Sequence, residues 1–457
     1  MAKPVNVREI VLAVLIEVTD NGQYSNIILR DVLSKYQYLE KRERAFITRV
    51  VGGTLEHLIE IDYILDQFSK VKVKKMKPVI RGILRSAVYQ LKYMDSVPDR
   101  AVCSEAVKLA ARKGFSGLRG YVNGVLRSIA RGLDSLQYPT ERLQALSVKY
   151  SCPEWIISMW SRTYSMDVIE TMLKDFQEEK KTTIRCCLHK NEPAVLKERL
   201  EREGVSAEYH PYLPYALEIT GYDHLEDLES FRDGSFTVQD ISSMLAGELA
   251  DPPRGAYVID VCAAPGGKAI HVAEKLFLKG EDHGYVEARD LTEKKAELIR
   301  DNIRRVGLTN IDALCRDASV PDRSSEEKAD LVIADLPCSG LGVMGKKADL
   351  RYRASQEGTE SLVKLQREIL SCAQAYVKPG GTLLYSTCTV NPAENEENVR
   401  WFLSEYPGFA PDNIRDRLCP QLVECVTEER LIQLIPGVHK SDGFFIARLI
   451  KKRRQER

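Results

Sequence analysis

The sequence predicts a multidomain protein with an all-helical front, a small α+β module and a C-terminal α/β domain built on a parallel sheet. Three observations carry that prediction. Residues 1–135 repeat apolar positions at helical spacing, residues 138–233 mix short strand-like runs with a charged helix, and from Gly234 onward strand-like runs alternate with helix-length stretches. At 457 residues the chain needs two or three domains, and the boundaries expected are 1–137, 138–233 and 234–457. A hydrophobic content of 44% with 29% charged residues excludes a fibrous or disordered chain.

In the front segment, Val7 to Val18 places Val7, Ile10, Val11, Val14, Leu15 and Val18 on one face. The same period runs through Lys41 to Leu58, Tyr63 to Phe68, Val79 to Tyr89, Val102 to Ala111 and Leu118 to Ile129. Breakers fall between them at Pro78, Asp95 to Asp99 and Gly114 to Gly117. Ser104 or Asp99 is expected to cap the helix entered near Cys103. The net charge of zero hides an asymmetry, because residues 1–135 hold 23 Lys+Arg against 14 Asp+Glu, leaving the remainder equally acidic. A basic front fits a polyanion, with a solvated helical surface as the plain alternative. Its densest run is Lys70, Lys72, Lys74, Lys75 and Lys77, where phosphate contact would be sequence-independent.

The helical pattern breaks near Asp134 to Thr140, and Pro153 in Ser151-Cys-Pro-Glu-Trp155 suits a helix's first turn. Strands are expected at Thr182 to Leu188 and Ala216 to Ile219, with a helix at Pro193 to Glu203. In the last segment, strands are expected at Tyr257 to Val261, Gly284 to Ala288, Ile311 to Leu314, Asp330 to Ala334 and Thr382 to Tyr385. Helices at Lys268 to Leu278, Glu293 to Val306 and Glu360 to Val377 separate several of them, which implies parallel pairing. Leu431 to Ile435 and Gly443 to Ile450 have no helix-length crossover between them and read as an antiparallel addition at the sheet edge.

No apolar run reaches a membrane span, and the start lacks the basic region and cleavage site of a signal peptide. A cytoplasmic protein without membrane association is expected. Eleven cysteines, an odd number with no Cys-x-x-Cys pair, argue against both a disulfide framework and a structural metal. The tail Lys451 to Arg457 reads as a solubilising end.

The strongest chemical signal is Val258-Ile-Asp-Val-Cys-Ala-Ala-Pro-Gly-Gly-Lys268, a strand running through a Gly-rich turn into a helix. Gly266 and Gly267 leave room for a ligand. The run matches neither a phosphate loop nor Gly-x-Gly-x-x-Gly, so it suits a cofactor with a nucleoside and a zwitterionic amino acid. Asp290, 23 residues beyond Gly267, would meet ribose hydroxyls, and Asp317 an adenine amino group. With Asp335, these acids end successive strands, where open α/β sheets bind ligands; a helix cap or turn is the plain alternative for each alone. Asp335-Leu-Pro-Cys-Ser-Gly340 and Ser386-Thr-Cys-Thr-Val-Asn391 each put a cysteine just past a strand end, in polar turns. Cys103, Cys187, Cys315 and Cys372 read instead as small buried hydrophobes.

At these residues the sequence resembles the Sun (RsmB-type) family of RNA cytosine-C5 methyltransferases, over nearly the whole chain. Phe236 to Ser243 resembles the lead-in to that family's catalytic domain, and Cys262-Ala263-Ala264-Pro265-Gly266-Gly267-Lys268 its S-adenosylmethionine (SAM) loop. Asp335 to Gly340 resembles its Asp-x-Pro-Cys-Ser-Gly motif, and Ser386 to Cys388 with Pro392 and Glu394-Asn395-Glu396 its Thr-Cys motif. Val97-Pro98 to Arg127, including Tyr121-Val-Asn-Gly-Val-Leu126, resembles a NusB-like RNA-binding domain. Leu336 stands where Ala is common, and Gly345-Lys346-Lys347-Ala348 replaces a stretch richer in arginine and proline, in a loop expected to touch RNA.

The resemblance implies a Rossmann-like class I SAM methyltransferase domain behind a NusB-like bundle, with SAM as cofactor, no metal, and 16S (small-subunit) ribosomal RNA as partner of a monomer. It implies that SAM is held by residues 262–268, to which the strand-end reading adds Asp290, Asp317 and Asp335. Carbon 5 of cytosine is a poor nucleophile, and a thiolate adding to carbon 6 makes it enamine-like, so that it can accept a methyl group. That chemistry needs an activated thiolate, and a hydrogen-bonding acid near ring N3, for which Asp335 is placed. Lys268 is expected to tune a thiol or orient substrate. Position and chemistry select Cys338 and Cys388 equally. The resemblance alone makes Cys388 the nucleophile and Cys338 the residue that assists release. Two rivals are set aside: adenine amino methylation would want an aromatic where Leu336-Pro337-Cys338 has none, and a non-catalytic RNA-binding factor would not need both cysteines.

Overall fold

The computed structural model describes residues 5–280 and 282–453, so Lys451 to Lys452 and Arg453 of the expected tail are described and its last four residues lie outside. The chain forms two compact units, one running through Gln177 with Met344–Arg353, the other comprising Glu178–Val343 and Ala354 onward.

The first unit begins with seven helices: α1 (Val7–Thr19), α2 (Ser25–Lys35), α3 (Lys41–Glu56), α4 (Leu58–Phe68), α5 (Pro78–Tyr93), α6 (Asp99–Arg112) and α7 (Arg119–Gly132). The apolar periodicity becomes one core, with Val11, Val14 and Leu15 of α1 packed among Ile47, Val50, Ile64, Leu84, Val88, Leu126 and Ile129. The stretch expected as one helix over Lys41 to Leu58 is broken at His57. The helix α2 carries Ile28, Leu29 and Val32 at helical spacing, and these pack, partly buried, against the same core. The expected cap at Ser104 or Asp99 is not formed: α6 starts at Asp99, Pro98 precedes it, and no side chain caps it. Asp99 acts there as an acid in the first turn, favourable against the helix dipole.

Helices at Arg142–Lys149, Glu154–Trp160 and Met166–Asp175 complete this unit, with Pro153 just before the second of them. The excursion Met344–Arg353 is pinned among them. Arg351, 1% exposed, donates to the carbonyls of Tyr150 at 3.0 Å and Ser151 at 3.3 Å. A Cβ at Gly345 would lie 3.1 Å from the Phe176 carbonyl oxygen, so glycine is needed for the close approach. The other expected loop position, Leu336, is 3% exposed and packed in a core rather than presented to a ligand.

The second unit carries two sheets. Strands β1 (Thr182–Cys186), β2 (Ser206–Tyr209), β3 (Ala216–Thr220) and β4 (Phe236–Val238) form an antiparallel sheet ordered β2-β3-β1-β4, covered by the helix Pro193–Arg202. Two of these, β2 and β4, are four and three residues long and carried too few residues for a periodic signal. The larger sheet comprises β5 (Tyr257–Asp260), β6 (Tyr285–Asp290), β7 (Ile311–Cys315), β8 (Ala329–Asp335), β9 (Val377–Thr387), β10 (Phe409–Pro411), β11 (Leu431–Leu434) and β12 (Phe444–Lys451). Its order is β10-β12-β9-β8-β5-β6-β7, parallel from β7 to β9. The late strands are antiparallel as expected, but β12 is not the edge, because both β10 and β11 pair with it.

Alternation along the strands sends side chains to two cores. Val258 packs with Ile270, Ala273 and Ile299 of the helices Gly267–Leu278 and Glu293–Val306. Its neighbour Ile259 packs on the other face with Ile369 and Ala373 of the helix Gln356–Tyr376 and with Phe402. Arg185 of β1, fully buried, pairs with Glu274, whose other oxygen lies 2.6 Å from His189 Nδ1. Replacing Glu274 by Ala strands the Arg185 charge in the interior. It should lower stability by about 3–5 kcal/mol, read as a reduced denaturation midpoint; an unchanged midpoint would show that the pair is dispensable.

Candidate active site

The parallel register brings three strand ends together. Asp260 of β5 pairs with Ile333 of β8, and Asp335 of β8 with Ser386 of β9. Asp335 then accepts from Ser386 Oγ at 2.7 Å through one oxygen and from Lys268 Nζ at 2.7 Å through the other. Lys268, on the first turn of the helix after the Gly-rich loop, also lies over the Phe444 ring at 5.0 Å.

Three residues past Asp335 and two past Ser386, the thiols of Cys338 and Cys388 meet at 3.3 Å between sulfurs, both half-buried. The loops that carry them are tied together. Ser339 Oγ shares a 2.7 Å hydrogen bond with Thr389, and Gly342 N donates to the Cys388 carbonyl at 3.1 Å. The Cys338 thiol is pushed well above its ordinary range, by its hydrogen bond with Cys388, then by burial, then by negative charge at Cys388 and Glu394.

The Gly-rich loop closes on itself. Gly266 has φ +106°, a conformation that glycine adopts without strain, and its N–H bonds the Ala263 carbonyl at 2.6 Å. Ala263 N donates to the Arg289 carbonyl at 2.8 Å, and Asn302 reaches the Pro265 carbonyl at 3.0 Å. Asp290, buried at the end of β6, accepts from Ala264 N at 2.9 Å and pairs with Lys295 at 2.9 Å. It thus braces the loop from the strand-end side. The Cys262 thiol is raised by burial and then by the charges of Asp260, Asp290 and Asp335, which makes it a poor nucleophile. Asp317 lies two residues past β7, exposed and turned back on Ser319 N at 2.9 Å, and lines a cavity of about 240 Å³ with Val261 and Tyr376. Cys103, Cys187 and Cys372 are buried as expected, but Cys315 is exposed, its thiol donating to the Leu291 carbonyl at 3.4 Å. It is the last residue of β7, the outer strand of the sheet.

Two residues of the site carried no assigned role in the sequence. Glu394 is fully buried beside the cysteine loops, and its motif was visible without its contacts. Asp260 was masked within an apolar strand. On the front unit, all five lysines of the Lys70 to Lys77 run are exposed while Val73 and Met76 between them anchor in the core. A separate groove of about 780 Å³ lies between α6 and α7, lined by Arg100, Arg119, Arg127 and Arg131 beside Asp99. The cations outnumber the acid there, as a polyanion requires.

Comparison with known proteins identifies this assembly. A family described as 16S rRNA methyltransferase RsmB/F matches residues 248–450, the NusB family matches 5–131, and an RsmF/B-like ferredoxin-like domain matches 152–223. A Bacillus subtilis (strain 168) protein named "Probable ribosomal RNA small subunit methyltransferase B" is 35% identical over 452 residues, covering 98% of this chain and 100% of its own. The chain belongs to the ribosomal RNA small subunit methyltransferase B family. A family relative from Synechocystis sp. is 30% identical over 450 residues, covering 98% of this chain and 100% of its own. The solved structure of PH0851 superimposes with TM-score 0.81 and 27% identity over 98% of this chain and 100% of that one. NSun6 from Pyrococcus horikoshii, at 21% identity and TM-score 0.57 over 66% of this chain and 99% of its own, shares the fold. The chain is therefore a methyltransferase of this family, with a NusB-like front, a ferredoxin-like module and a class I methyltransferase domain.

The donor set fits the zwitterionic cofactor of such a family. Asp260 is buried at 1% exposure, and among the described residues one of its carboxyl oxygens has no hydrogen-bond partner, a buried polar atom of the kind a polar ligand would satisfy. Burial first, then the charge of Asp335, raise its carboxyl to about 8. A carboxyl raised on folding favours the native state when protonated, so its contribution falls as pH rises from about 4 toward about 8. Asp260→Asn should therefore flatten the loss of melting temperature across that range, raising Tm at pH 8 by about 3 °C or more, while weakening SAM binding. An unchanged pH dependence would remove Asp260 from this role.

Proposed function

We propose that this enzyme transfers the methyl group of SAM to carbon 5 of one cytosine in small-subunit (16S) ribosomal RNA, in the cytoplasm, through a covalent adduct between Cys388 and carbon 6. The observation that carries this reading is the pair of thiols 3.3 Å apart at two strand ends, beside the Lys268–Asp335 ion pair. A methyl transfer to an amino group or a ribose needs no thiol, and a pair of thiols suits a reaction that attaches to a ring and must later detach.

SAM, when bound, supplies an electrophilic methyl group. Residues 262–268, Asp260, Asp290 and Asp317 are the residues proposed to hold it, with Asp335 between cofactor and base. Cys388 adds to carbon 6 of an unpaired or flipped-out cytosine, because a stacked base would hide that carbon. Electron density pushed toward N3 calls for a proton there, which Asp335 would give in its protonated form, and the Lys268 ammonium beside it would offset the carboxylate charge left behind. After methylation the proton on carbon 5 must leave before the Cys388–C6 bond can break, and Cys338 is the adjacent group proposed to assist. The exposed lysines of residues 70–77 and the arginine-lined groove between α6 and α7 support a role for residues 1–137 in gripping RNA phosphates. Residues 138–233 and 234–457 would then form the module joined to the catalytic domain and the catalytic domain itself.

Cys388→Ala should abolish methylation of small-subunit RNA, measured by bisulfite sequencing, to below about one part in a thousand of wild type. Cys338→Ala should leave a protein–RNA adduct that survives denaturing gels. Full activity of Cys388→Ala, or absence of an adduct with Cys338→Ala, would contradict the assignment.

A further inference from the structure

The carboxylate of Glu394 occupies an unusual position. It is fully buried, and its hydrogen-bond donors are all neutral. One oxygen accepts from Ser339 N at 2.8 Å and from Gln366 Nε2 at 3.1 Å. The other accepts from Ser339 Oγ at 2.5 Å and from Asn391 Nδ2 at 2.8 Å. Ser339 follows Cys338 in one loop, and Asn391 is three residues beyond Cys388 in the other. A single carboxylate thus joins the two cysteine loops, and no salt bridge neutralises it among the described residues. Burying such a group is costly unless hydrogen bonds compensate, and here four do.

We propose that Glu394 is a positioning residue for methyl transfer, clamping the Cys338 and Cys388 loops in register and setting a fixed negative charge beside Cys338, so that Cys388 is the thiol that ionises. This rests on the two-thiol reading above. Among the described contacts, the other groups around the pair are neutral or engaged elsewhere. From β9, the Tyr385 hydroxyl donates to the Glu394 carbonyl, and just past its end Cys388 is the partner thiol. From β8, Asp335 is already paired with Lys268. The helix Gln356–Tyr376 presents the neutral Gln366, while Arg367 next to it turns to Asn398 at 2.9 Å. The direction of the Cys338 shift agrees, with Glu394 among its causes after the hydrogen bond to Cys388, burial and the Cys388 charge.

The test follows iodoacetamide alkylation of each cysteine against pH by peptide mass spectrometry, in the resting protein without RNA or SAM. Exposed Cys315 serves as the internal reference. In wild type, Cys388 should react first and Cys338 only at higher pH. Glu394→Gln should move the Cys338 midpoint down by about one unit and raise its rate at pH 7.5 by about tenfold. Ser339→Ala, which keeps the charge, should leave that midpoint in place. An unmoved midpoint in folded Glu394→Gln, or an equal rise of both cysteines at every pH, would overturn the proposal, since loosened loops alone give the second result. Should Glu394→Gln not fold, Glu394→Met, which also removes the charge, provides the measurement. The Cys338 midpoint should fall there too, and an unmoved midpoint would overturn the proposal. Because no turnover is involved, the proposal can fail while Cys388 still proves to be the nucleophile. The nucleophile assignment can also fail while the charge bias stands.

Discussion

The parallel pairing of β8 with β9 is the constraint on which the rest depends. Asp335 lies opposite Ser386, so each strand ends at the same level and hands its chain to a loop starting at that level. Both cysteines follow within three residues, too short a span to carry either away. A slip of one residue would send every side chain of β9 to the opposite face. It would break the Ser386–Asp335 hydrogen bond and part the two thiols.

Around that register the site is assembled from contacts that each serve two purposes. Lys268 rides on the first turn of the helix that the Gly-rich loop starts, so closing the loop also delivers a cation to Asp335. Asp290 ends its strand and braces the same loop. The thiols share a hydrogen bond, and a buried carboxylate, Glu394, is bound to the residue that follows Cys338.

Much of this was legible in the sequence, for identifiable reasons. Long periodic helices, the five parallel strands and the Gly-rich turn declare themselves through apolar spacing and glycine placement. Lys268, Asp335, Cys338 and Cys388 were visible because strand ends in an α/β sheet converge on one side. What remained hidden depends on tertiary contact. The strands β2 and β4 are too short to show a period, and the β12 strand gains neighbours from distant segments. Arg351 looks like a surface arginine until the carbonyls it satisfies are seen. Cys315 was read as buried because a cysteine in a strand usually is, yet it is the exposed last residue of the sheet's outer strand. Glu394 and Asp260 share one reason for having no role in the sequence. A buried acid is recognised only by what surrounds it, and spacing says nothing of that.

The central claim is that Cys388, not Cys338, bonds to carbon 6 of a cytosine. The most direct measurement offers the enzyme and SAM a small-subunit RNA carrying 5-fluorocytosine, whose carbon-5 fluorine cannot leave as a proton. Digestion and mass spectrometry then locate the trapped nucleotide. The account predicts a nucleotide-modified peptide containing Cys388, with Cys338 unmodified. Modification of Cys338, or no covalent complex with an RNA that is otherwise methylated, would contradict it.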